Sequence, residues 1–250
     1  MNVYEIFFSP TGGTRKAADL VAQALPGEVI PVDLTVHPAA LALTAQDVAV
    51  LAVPSYGGRV PALAVERLVG LQANGARAVL LCVYGNRAYE DTLVELRDAA
   101  VQAGFRVVAA AAAVAEHSIA RQFAAGRPDA ADAETLRAFA GRIADKLAAG
   151  DDTEPALPGN RPYKKAGGSG MVPKPTADCT GCGTCARECP AGAIDPADPH
   201  SVNSDACISC MRCVSVCPQG ARKVNGVMLT AVGLALKKVC SGRKEPELFL

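Results

Sequence analysis

The sequence contains no tryptophan, only three histidines, and an aromatic fraction of 4%. It also lacks a run of about 18 uncharged apolar residues, the length that a helix needs to cross a bilayer, so we expect no membrane span. Positive and negative side chains balance, with 25 of each, and the formal net charge is zero. A zero balance gives no reason to expect nucleic acid as a partner.

We also expect no secretory leader. The first residues, MNVYEIFF, lack a basic stretch and a small-residue cleavage site, and they are typical of a β-strand. A disulfide framework suits short secreted chains, whereas this chain has 250 residues and ten cysteines. In a reducing compartment, closely spaced thiols are more often metal ligands or redox groups. We therefore expect a cytoplasmic protein that uses its clustered cysteines to bind metal.

Residues 1–150 alternate apolar runs with helix-like stretches. Five runs have the character of strands, and those at 48–53 and 78–83 are apolar throughout, as strands covered on both faces should be. Such an alternation of strands and helices predicts a parallel sheet with helices on both sides. The predicted fold class is therefore α/β, with a doubly wound, five-stranded parallel sheet.

The rest of the chain divides into three parts. Residues 151–175 are rich in proline and glycine and have no periodicity, which predicts an extended linker. Residues 176–225 hold two copies of a cysteine pattern, and residues 226–250 contain a largely apolar helix followed by a tail. That helix is too short to span a bilayer, so we expect it to dock on the protein's own surface or on a second copy in a homodimer.

Eight of the ten cysteines lie in CTGCGTCARECP, which begins at Cys179, and CISCMRCVSVCP, which begins at Cys207. Each copy has the spacing C-x2-C-x2-C-x3-C-P. The first three thiolates can wrap one corner of a compact inorganic cluster, whereas the fourth leaves in another direction and ligates the other cluster. Zinc is the alternative, but it prefers pairs of C-x2-C separated by a longer loop. The spacing therefore predicts two [4Fe–4S] clusters.

Residues 176–225 resemble a bacterial two-cluster ferredoxin, and this resemblance implies a small α+β domain. It also implies that one cluster is held by Cys179, Cys182, Cys185 and Cys217, and the other by Cys207, Cys210, Cys213 and Cys189. The two remaining thiols, Cys82 and Cys240, need no such role. Cys82 lies inside an apolar run, where a cysteine acts as a small hydrophobic residue.

A loop of hydroxyl-bearing residues and glycines joins the first predicted strand to the first predicted helix, in FFSPTGGTRKAADL. Unpaired amides at a helix start attract phosphate, and the hydroxyls of Ser9, Thr11 and Thr14 can donate further bonds. Gly12 and Gly13 let the backbone come close to a ligand. The spacing fits neither a Walker A loop nor G-x-G-x-x-G, so a nucleoside triphosphate is not expected. The alternative is a simple capped helix.

Two further loops follow the third and fourth predicted strands, in AVPSYGGRVP and VYGNRAYED. In a doubly wound sheet, both loops open on the same carboxyl edge as the first loop. Each presents a tyrosine, Tyr56 and Tyr89, beside glycine or small polar residues. A flat heterocycle held by aromatic rings, with its phosphate in the first loop, would fit this edge. The three loops together favour a bound flavin.

This arrangement resembles the flavodoxin family across residues 1–150. The family's phosphate pattern, S/T-x-T-G-x-T, is met here, although its usual asparagine is Gly13 and the tryptophan that often stacks on the flavin is absent. The resemblance implies that FMN is bound by Ser9, Thr11, Gly12, Gly13, Thr14, Pro54, Ser55, Tyr56, Gly57, Gly58, Gly85, Asn86, Arg87 and Tyr89. His117 and Ser118, after the fifth strand, are further candidates. Arg59 and Arg87 are expected to stabilise the negative charge of a reduced flavin.

The whole chain resembles the flavodoxin–ferredoxin fusion proteins of anaerobic prokaryotes. That resemblance implies electron transfer between FMN and two [4Fe–4S] clusters, which couples one-electron donors to a one- or two-electron acceptor. The partner would be a redox protein or a small-molecule electron donor or acceptor. Two alternatives stay open: an FMN-dependent quinone or small-molecule reductase fed by the clusters, and a ferredoxin-like scaffold or carrier without flavin.

Overall fold

The computed structural model describes residues 2–36, 41–167 and 170–250. In this part of the chain the main sheet contains β1 (Asn2–Phe7), β2 (Glu28–Asp33), β3 (Val48–Pro54), β4 (Arg77–Tyr84), β5 (Arg106–Val114) and β8 (Glu247–Phe249). The order across the sheet is β2-β1-β3-β4-β5-β8; the first five strands are parallel, and β8 runs antiparallel to β5. The predicted five-stranded parallel sheet is confirmed. The C-terminal tail adds an antiparallel edge strand that the sequence pattern did not predict.

Helices cover both faces of this sheet. The helices of the described ranges are α1 (Gly13–Ala22), α2 (Ala62–Val69), α3 (Thr92–Gln102), α4 (Ala130–Ala148), α5 (Thr184–Arg187), α6 (Arg212–Ser215) and α7 (Gly226–Cys240). Residues of α2 and α3 pack on one face, and residues of α1 and α4 pack on the other. β3 and β4 are therefore apolar and buried almost throughout. Each fully buried valine or leucine there contributes roughly 1.5–3 kcal/mol to folding.

The strand order of the sheet reverses at β1, because β2 lies on one side of that strand and β3 on the other. In doubly wound sheets, ligands bind beyond the carboxyl ends of the strands at such a switch point. The loop between β1 and α1 lies at this edge, and so do the loops that follow β3, β4 and β5. The fold thus brings the three predicted flavin loops to one edge.

Residues 151–167 form an extended strap along the first domain. The Asp91 carboxylate accepts hydrogen bonds from the backbone amides of Asn160, at 2.8 Å, and Lys164, at 2.7 Å. Further ion pairs join the strap to α3. The strap is therefore held in place along much of its length. Residues 168–169 of the predicted linker lie outside the described residues.

The two cysteine repeats form a small second unit with internal pseudo-symmetry. Cys179 in the first repeat corresponds to Cys207 in the second, and the same offset relates α5 to α6. Two short strands, β6 (Lys174–Pro175) and β7 (Arg222–Lys223), pair antiparallel and close the unit.

The C-terminal segment then returns the chain to the first domain. Cys240, at the end of α7, packs against Phe123, and the Asn86 amide donates to the carbonyls of Cys240, at 2.6 Å, and Gly242, at 2.8 Å. One face of α7 thus docks on the protein's own surface, whereas Leu234 on the outer face is 69% exposed. The expected homodimer stays a prediction. Within the described ranges, no helix combines the length and the apolar character needed to cross a bilayer.

Candidate functional site

Two groups of four cysteines line two separate cavities in the second unit. Cys179, Cys182, Cys185 and Cys217 line one cavity, which we call the first cysteine site. Cys189, Cys207, Cys210 and Cys213 line the other, which we call the second cysteine site. Each site takes three cysteines from one repeat and the fourth from the other. This is the crossed arrangement that the ferredoxin resemblance implies.

The fourth cysteine of each repeat is held in the same way. The Ala193 amide donates to Cys189 Sγ at 3.3 Å, and the Ala221 amide donates to Cys217 Sγ at 3.3 Å. Amide hydrogen bonds to ligand sulfurs stabilise the thiolate and tune a bound cluster. Across the described ranges, no three His, Cys, Asp or Glu side chains converge closely enough to hold a single ion. Four cysteines around one cavity are the ligand set of a four-iron cluster.

Two of the ligand thiols are buried in surroundings that oppose their ionisation. Burial raises the pKa of the Cys210 thiol to about 11 and that of the Cys213 thiol to about 12. The exposed Cys182 thiol has a lowered pKa because it is hydrogen-bonded by Thr184. Metal ligation requires thiolates, so binding of a cluster must supply the positive charge that deprotonates the buried pair.

A cavity of about 280 Å³ lies at the start of α1. Thr11, Gly12 and Gly13 line it, and Gly12 caps the helix with a φ of 89°, in the left-handed region that favours glycine. Gly12 has no side chain to accept the first helical amide hydrogens, and Ser9 Oγ accepts only that of Arg15, so the amides of Gly13 and Thr14 can bind an anionic ligand. The same cavity is lined by three cations and one acid, which are Lys16, Arg121, Arg127 and Glu116. Its chemistry suits a phosphate, and we call it the phosphate cavity.

A cavity of about 460 Å³, the ring cavity, adjoins the phosphate cavity at Ser118, which lines both. The loops after β3, β4 and β5 supply Ser55, Tyr56, Gly57, Gly85, Arg87, His117 and Ile119 to its wall. Cavities that bind small molecules usually have volumes of roughly 300–1,000 Å³. The joined cavities offer phosphate-binding groups at one end and aromatic and apolar walls at the other, so they fit FMN.

His117 is fixed in one tautomer beside the ring cavity. Its Nδ1 accepts hydrogen bonds from the backbone amides of Ile119 and Ala120, both at 3.2 Å. Burial lowers the pKa of the imidazole, and the nearby Arg87 adds to this effect, so the ring is neutral and carries its proton on Nε2. A Cβ at Gly85 would lie 2.7 Å from His117 Cδ2, so glycine is needed there. The cavity therefore has a fixed Nε2–H donor.

Eight of the fourteen residues predicted to bind FMN line the two cavities, and six do not. Ser9 and Thr14 are buried beneath the first loop, where Ser9 Oγ accepts a hydrogen bond from the Arg15 amide at 2.9 Å. Pro54 ends β3. At Gly58, a Cβ would lie 1.8 Å from Glu90 Oε2, so this glycine makes room for a neighbouring side chain.

The remaining two residues, Asn86 and Tyr89, contact the C-terminal tail. Asn86 donates to the tail carbonyls described above, whereas Tyr89 packs edge-on against Tyr84 and donates to Glu247 at 3.1 Å. The structure thus places Tyr89 outside the ring cavity. The physical reason is the returning tail, which occupies that side of the loop and which no local pattern shows.

The two arginines expected to stabilise a reduced flavin have carboxylate partners. Arg59 makes two hydrogen bonds to Glu95, both at 2.7 Å, and stacks 4.8 Å from the centre of the Tyr163 ring, outside the ring cavity. Arg87 lines the ring cavity but pairs with Glu90 at 2.8 Å. Arg59 is therefore not placed to stabilise a reduced flavin. Arg87 is placed to do so, but the Glu90 carboxylate offsets part of its charge.

The second cysteine repeat closes both cavities from outside. Ile208 and Ser209 line the ring cavity, and Met211 lines the phosphate cavity. Ile208 and Met211 also line the second cysteine site. The second cysteine site therefore adjoins the ring cavity, whereas Cys182 of the first cysteine site is exposed.

Direct hydrogen bonds fix this arrangement of the two units. Arg67 on α2 donates to the Pro190 carbonyl at 2.7 Å, and Arg212 on α6 donates to the Pro10 carbonyl at 3.3 Å. Of the two placements that an extended linker allows, docked against the flavin edge or turned towards a partner, the structure shows the docked one.

Two cavity residues of the second repeat have backbone conformations that usually require glycine. Ser209 has a φ of 52° and Met211 a φ of 63°, whereas their equivalents in the first repeat are Gly181, at 68°, and Gly183, at 71°. A non-glycine residue in this left-handed region of φ lowers the free energy of unfolding by roughly 1–2 kcal/mol. Met211 is 4% exposed, so its packing offsets the cost, but Ser209 is a small polar residue. Such strain points to a functional role for the Ser209 side chain.

Sequence reasoning missed every cavity residue that comes from a distant segment. Lys164 and Lys165 of the strap, Val232 and Leu236 of α7, and the residues of the second cysteine repeat all line the ring cavity or the phosphate cavity. None of these residues belongs to a local motif for flavin binding. Only the tertiary arrangement brings them to the sheet edge.

The cysteine repeats match a known domain family. Residues 178–222 match the family described as a 4Fe-4S dicluster domain. The chain is also similar to one subunit of the ion-translocating oxidoreductase complex of Methanosarcina acetivorans, with 43% identity over 44 residues. That match spans only 17% of this chain and 17% of the relative. The prediction of two [4Fe–4S] clusters is confirmed by the family match.

Several solved structures are similar to the first domain. A flavodoxin from Streptococcus pneumoniae is 22% identical, with a TM-score of 0.42, over 58% of this chain and 99% of the flavodoxin. Flavodoxin 1 from Bacillus cereus is 16% identical, with a TM-score of 0.40, over 58% and 98% of the two chains. Rubredoxin oxygen:oxidoreductase from Desulfovibrio gigas is 16% identical, with a TM-score of 0.42, over 59% of this chain and 36% of its own. The fold assignment rests on the strand order and direction described above. The chain combines a flavodoxin-like domain with a ferredoxin-like domain.

Proposed function

We propose that this protein transfers electrons between two [4Fe–4S] clusters and FMN within a single chain. The observation that carries this proposal is the position of the second cysteine repeat, which forms a wall of both the ring cavity and the phosphate cavity. A cluster at the second cysteine site would therefore adjoin a flavin in the ring cavity. A scaffold without flavin would have no need of this arrangement.

The chain's own residues have distinct roles in this proposal. Thr11, Gly12 and Gly13 would hold the FMN phosphate, with Lys16 offsetting its charge, because Arg121 is already paired with Glu116. His117 would donate from Nε2 to an acceptor atom of the flavin ring, because its Nδ1 is already occupied. When bound, FMN exchanges one or two electrons and so links one-electron carriers to two-electron partners.

The two cysteine sites differ in their access to a partner. The first cysteine site includes the exposed Cys182, whereas the second site includes the buried Cys210 and shares Ile208 with the wall of the ring cavity. We infer that an external redox protein or small-molecule donor or acceptor meets the first site, and that the second site links it to the flavin. The proposal also places the protein in the cytoplasm, because a reducing compartment keeps eight ligand thiols available.

Rapid mixing under anaerobic conditions tests the proposal. The fully loaded protein is mixed with a one-electron reductant, and flavin reduction is followed by absorbance at protein concentrations that span a tenfold range. We expect the rate of the cluster-to-flavin step to be independent of protein concentration. A rate proportional to protein concentration would show transfer between chains, and purified protein with clusters but no flavin would reject the FMN assignment.

A further inference from the structure

Arg222 is a charged side chain buried in the second unit. It is 2% exposed, and it donates to the backbone carbonyls of Pro173, at 3.1 Å, and Pro199. Its Nε has no hydrogen-bond partner, and no carboxylate in the described ranges pairs with it. Burying a cation without an opposite charge costs several kcal/mol. Some other negative charge must compensate for this cost.

The internal repeat shows what packing alone requires at this position. The first repeat continues after Cys189 as P-A-G-A-I, ending at Ile194, whereas the second continues after Cys217 as P-Q-G-A-R, ending at Arg222. The backbones match, since the amide–sulfur hydrogen bonds of the two repeats have the same length. Ile194 is 3% exposed and lines the second cysteine site, and Arg222 lines the first cysteine site. An apolar residue therefore satisfies the packing, and the charge of Arg222 has a separate role.

We propose that Arg222 makes the cluster at the first cysteine site easier to reduce than the cluster at the second. A [4Fe–4S] cluster gains one negative charge on reduction, and a nearby cation in the low-dielectric interior favours the reduced form. The second cysteine site has Ile194 at the equivalent position, and the residues that line it include no cation. Arg222 lines the first cysteine site and is not among the residues that line the second, so the second cluster should feel a weaker effect in the same direction.

This difference in reduction potential determines at which cluster an electron resides. An electron delivered by a partner at the exposed first site would rest there, and it would move to the second site when the flavin accepts it. The inference rests on the two clusters of the proposed function but needs no assumption about the flavin.

Potentiometric titration of the intact, anaerobic protein tests this proposal, with the reduced clusters followed by electron paramagnetic resonance. A Cys182→Ser variant, which changes one ligand of the first site, identifies the signal of that cluster. In the wild-type protein we expect two midpoint potentials, the higher one belonging to the first site. Arg222→Ile, which copies the residue of the first repeat, should move the first midpoint down towards the second. Arg222→Lys keeps the charge and should retain most of the difference.

A surface variant provides the matched control. Arg187 is exposed and donates to the Cys182 carbonyl at 3.1 Å, so it is a cation near the first site that solvent screens. Arg187→Gln should shift the first midpoint much less than Arg222→Ile does.

Three outcomes would overturn the proposal. These are equal midpoints for the two clusters of the wild-type protein, an unchanged first midpoint in Arg222→Ile, or an Arg222→Lys variant that behaves like Arg222→Ile. If Arg222→Ile loses its clusters, the midpoint potentials of the wild-type protein and of Arg222→Lys still test the proposal. A wild-type protein that holds no clusters would instead reject the proposed function.

Discussion

At the scale of single residues, the hydroxyl of Thr11 offers a direct test of the phosphate cavity. Thr11 lines that cavity, and a hydrogen bond to a charged group contributes roughly 1.5–3 kcal/mol. Thr11→Val should therefore weaken FMN binding by about 10- to 100-fold and leave riboflavin binding nearly unchanged, because riboflavin has no phosphate. Titration of the flavin-free protein with both flavins measures this difference. Thr14→Val is the control, since Thr14 is buried outside the cavity and should affect both flavins equally. Equal losses in Thr11→Val would contradict the assignment.

Ser209 tests whether backbone strain serves flavin binding. Ser209→Gly removes the backbone strain of a φ of 52°, which stabilises the folded protein, but it also raises the conformational entropy of the unfolded chain. The net result should be a rise of about 0.5–1 kcal/mol in the free energy of unfolding. The same variant should bind FMN about 2- to 10-fold more weakly, because it loses a polar group of the ring cavity. Urea unfolding and flavin titration measure the two effects. Gly181→Ser makes the reverse change in the first repeat, where a Cβ meets no atom within 4 Å, and should lower stability without changing FMN affinity. A Ser209→Gly variant with unchanged flavin affinity would remove the functional role.

Glu5 gives the first domain a pH-dependent stability. It lies in β1 and is 2% exposed; burial and the nearby Asp19 raise the pKa of its carboxyl to about 8. The folded protein therefore holds a proton that the unfolded chain releases above the ordinary glutamate pKa of 4.5. The free energy of unfolding should fall as the pH rises between those two values. Glu5→Gln should remove this slope and, at pH 9, should be more stable than the wild type by roughly 1–3 kcal/mol. Urea unfolding at pH 5, 7 and 9 compares the two proteins, and parallel pH profiles would contradict the assignment.

At the scale of structural elements, the crossed cysteine pattern ties the two repeats together. Cys189 follows α5 of the first repeat but lines the second cysteine site with Cys207, Cys210 and Cys213. Cys189→Ala should therefore damage the cluster next to the ring cavity and slow flavin reduction. Cys217→Ala, its counterpart, should damage the exposed cluster instead. Iron counting and electron paramagnetic resonance of both variants measure these losses. Loss of the first-site cluster in Cys189→Ala would show that ligation is not crossed.

The same scale shows how much the sequence could predict. Strand β3 and residues 78–83 of β4 are apolar throughout because helices cover both faces, and this continuous pattern is what made the parallel sheet predictable. The grouping of the eight cysteines around two cavities was predictable because cluster geometry fixes the spacing of thiolates along the chain. β8 is a three-residue strand that pairs only at Ala110–Ala112, so it leaves no periodic signal. Tyr89 was misplaced for the same reason, because its partner Glu247 lies in that strand.

At the scale of the whole molecule, the second unit is attached to the first domain on both sides. The strap of residues 151–167 precedes it, and α7 and β8 follow it and rejoin the sheet. The unit that contains the cysteine sites is thus connected to the first domain by two ordered segments, not by a single linker. Together with the direct hydrogen bonds of Arg67 and Arg212, this arrangement keeps the second cysteine site beside the ring cavity.

Cutting the strap tests this double attachment. A specific protease site inserted between the exposed Gly170 and Met171, outside the residues that line the ring cavity, would break the chain before the cysteine repeats and leave the C-terminal return intact. We expect the cut protein to elute as one species on size exclusion and to keep its flavin, its clusters and its intramolecular electron-transfer rate. The physical reason is that β8 remains paired with β5, and Cys240 remains packed against Phe123, after the cut. The matched control has the same protease site and ends after Val224, which removes α7 and β8; once cut, it should separate into two species. Separation of the cut full-length protein would show that the strap alone holds the units together.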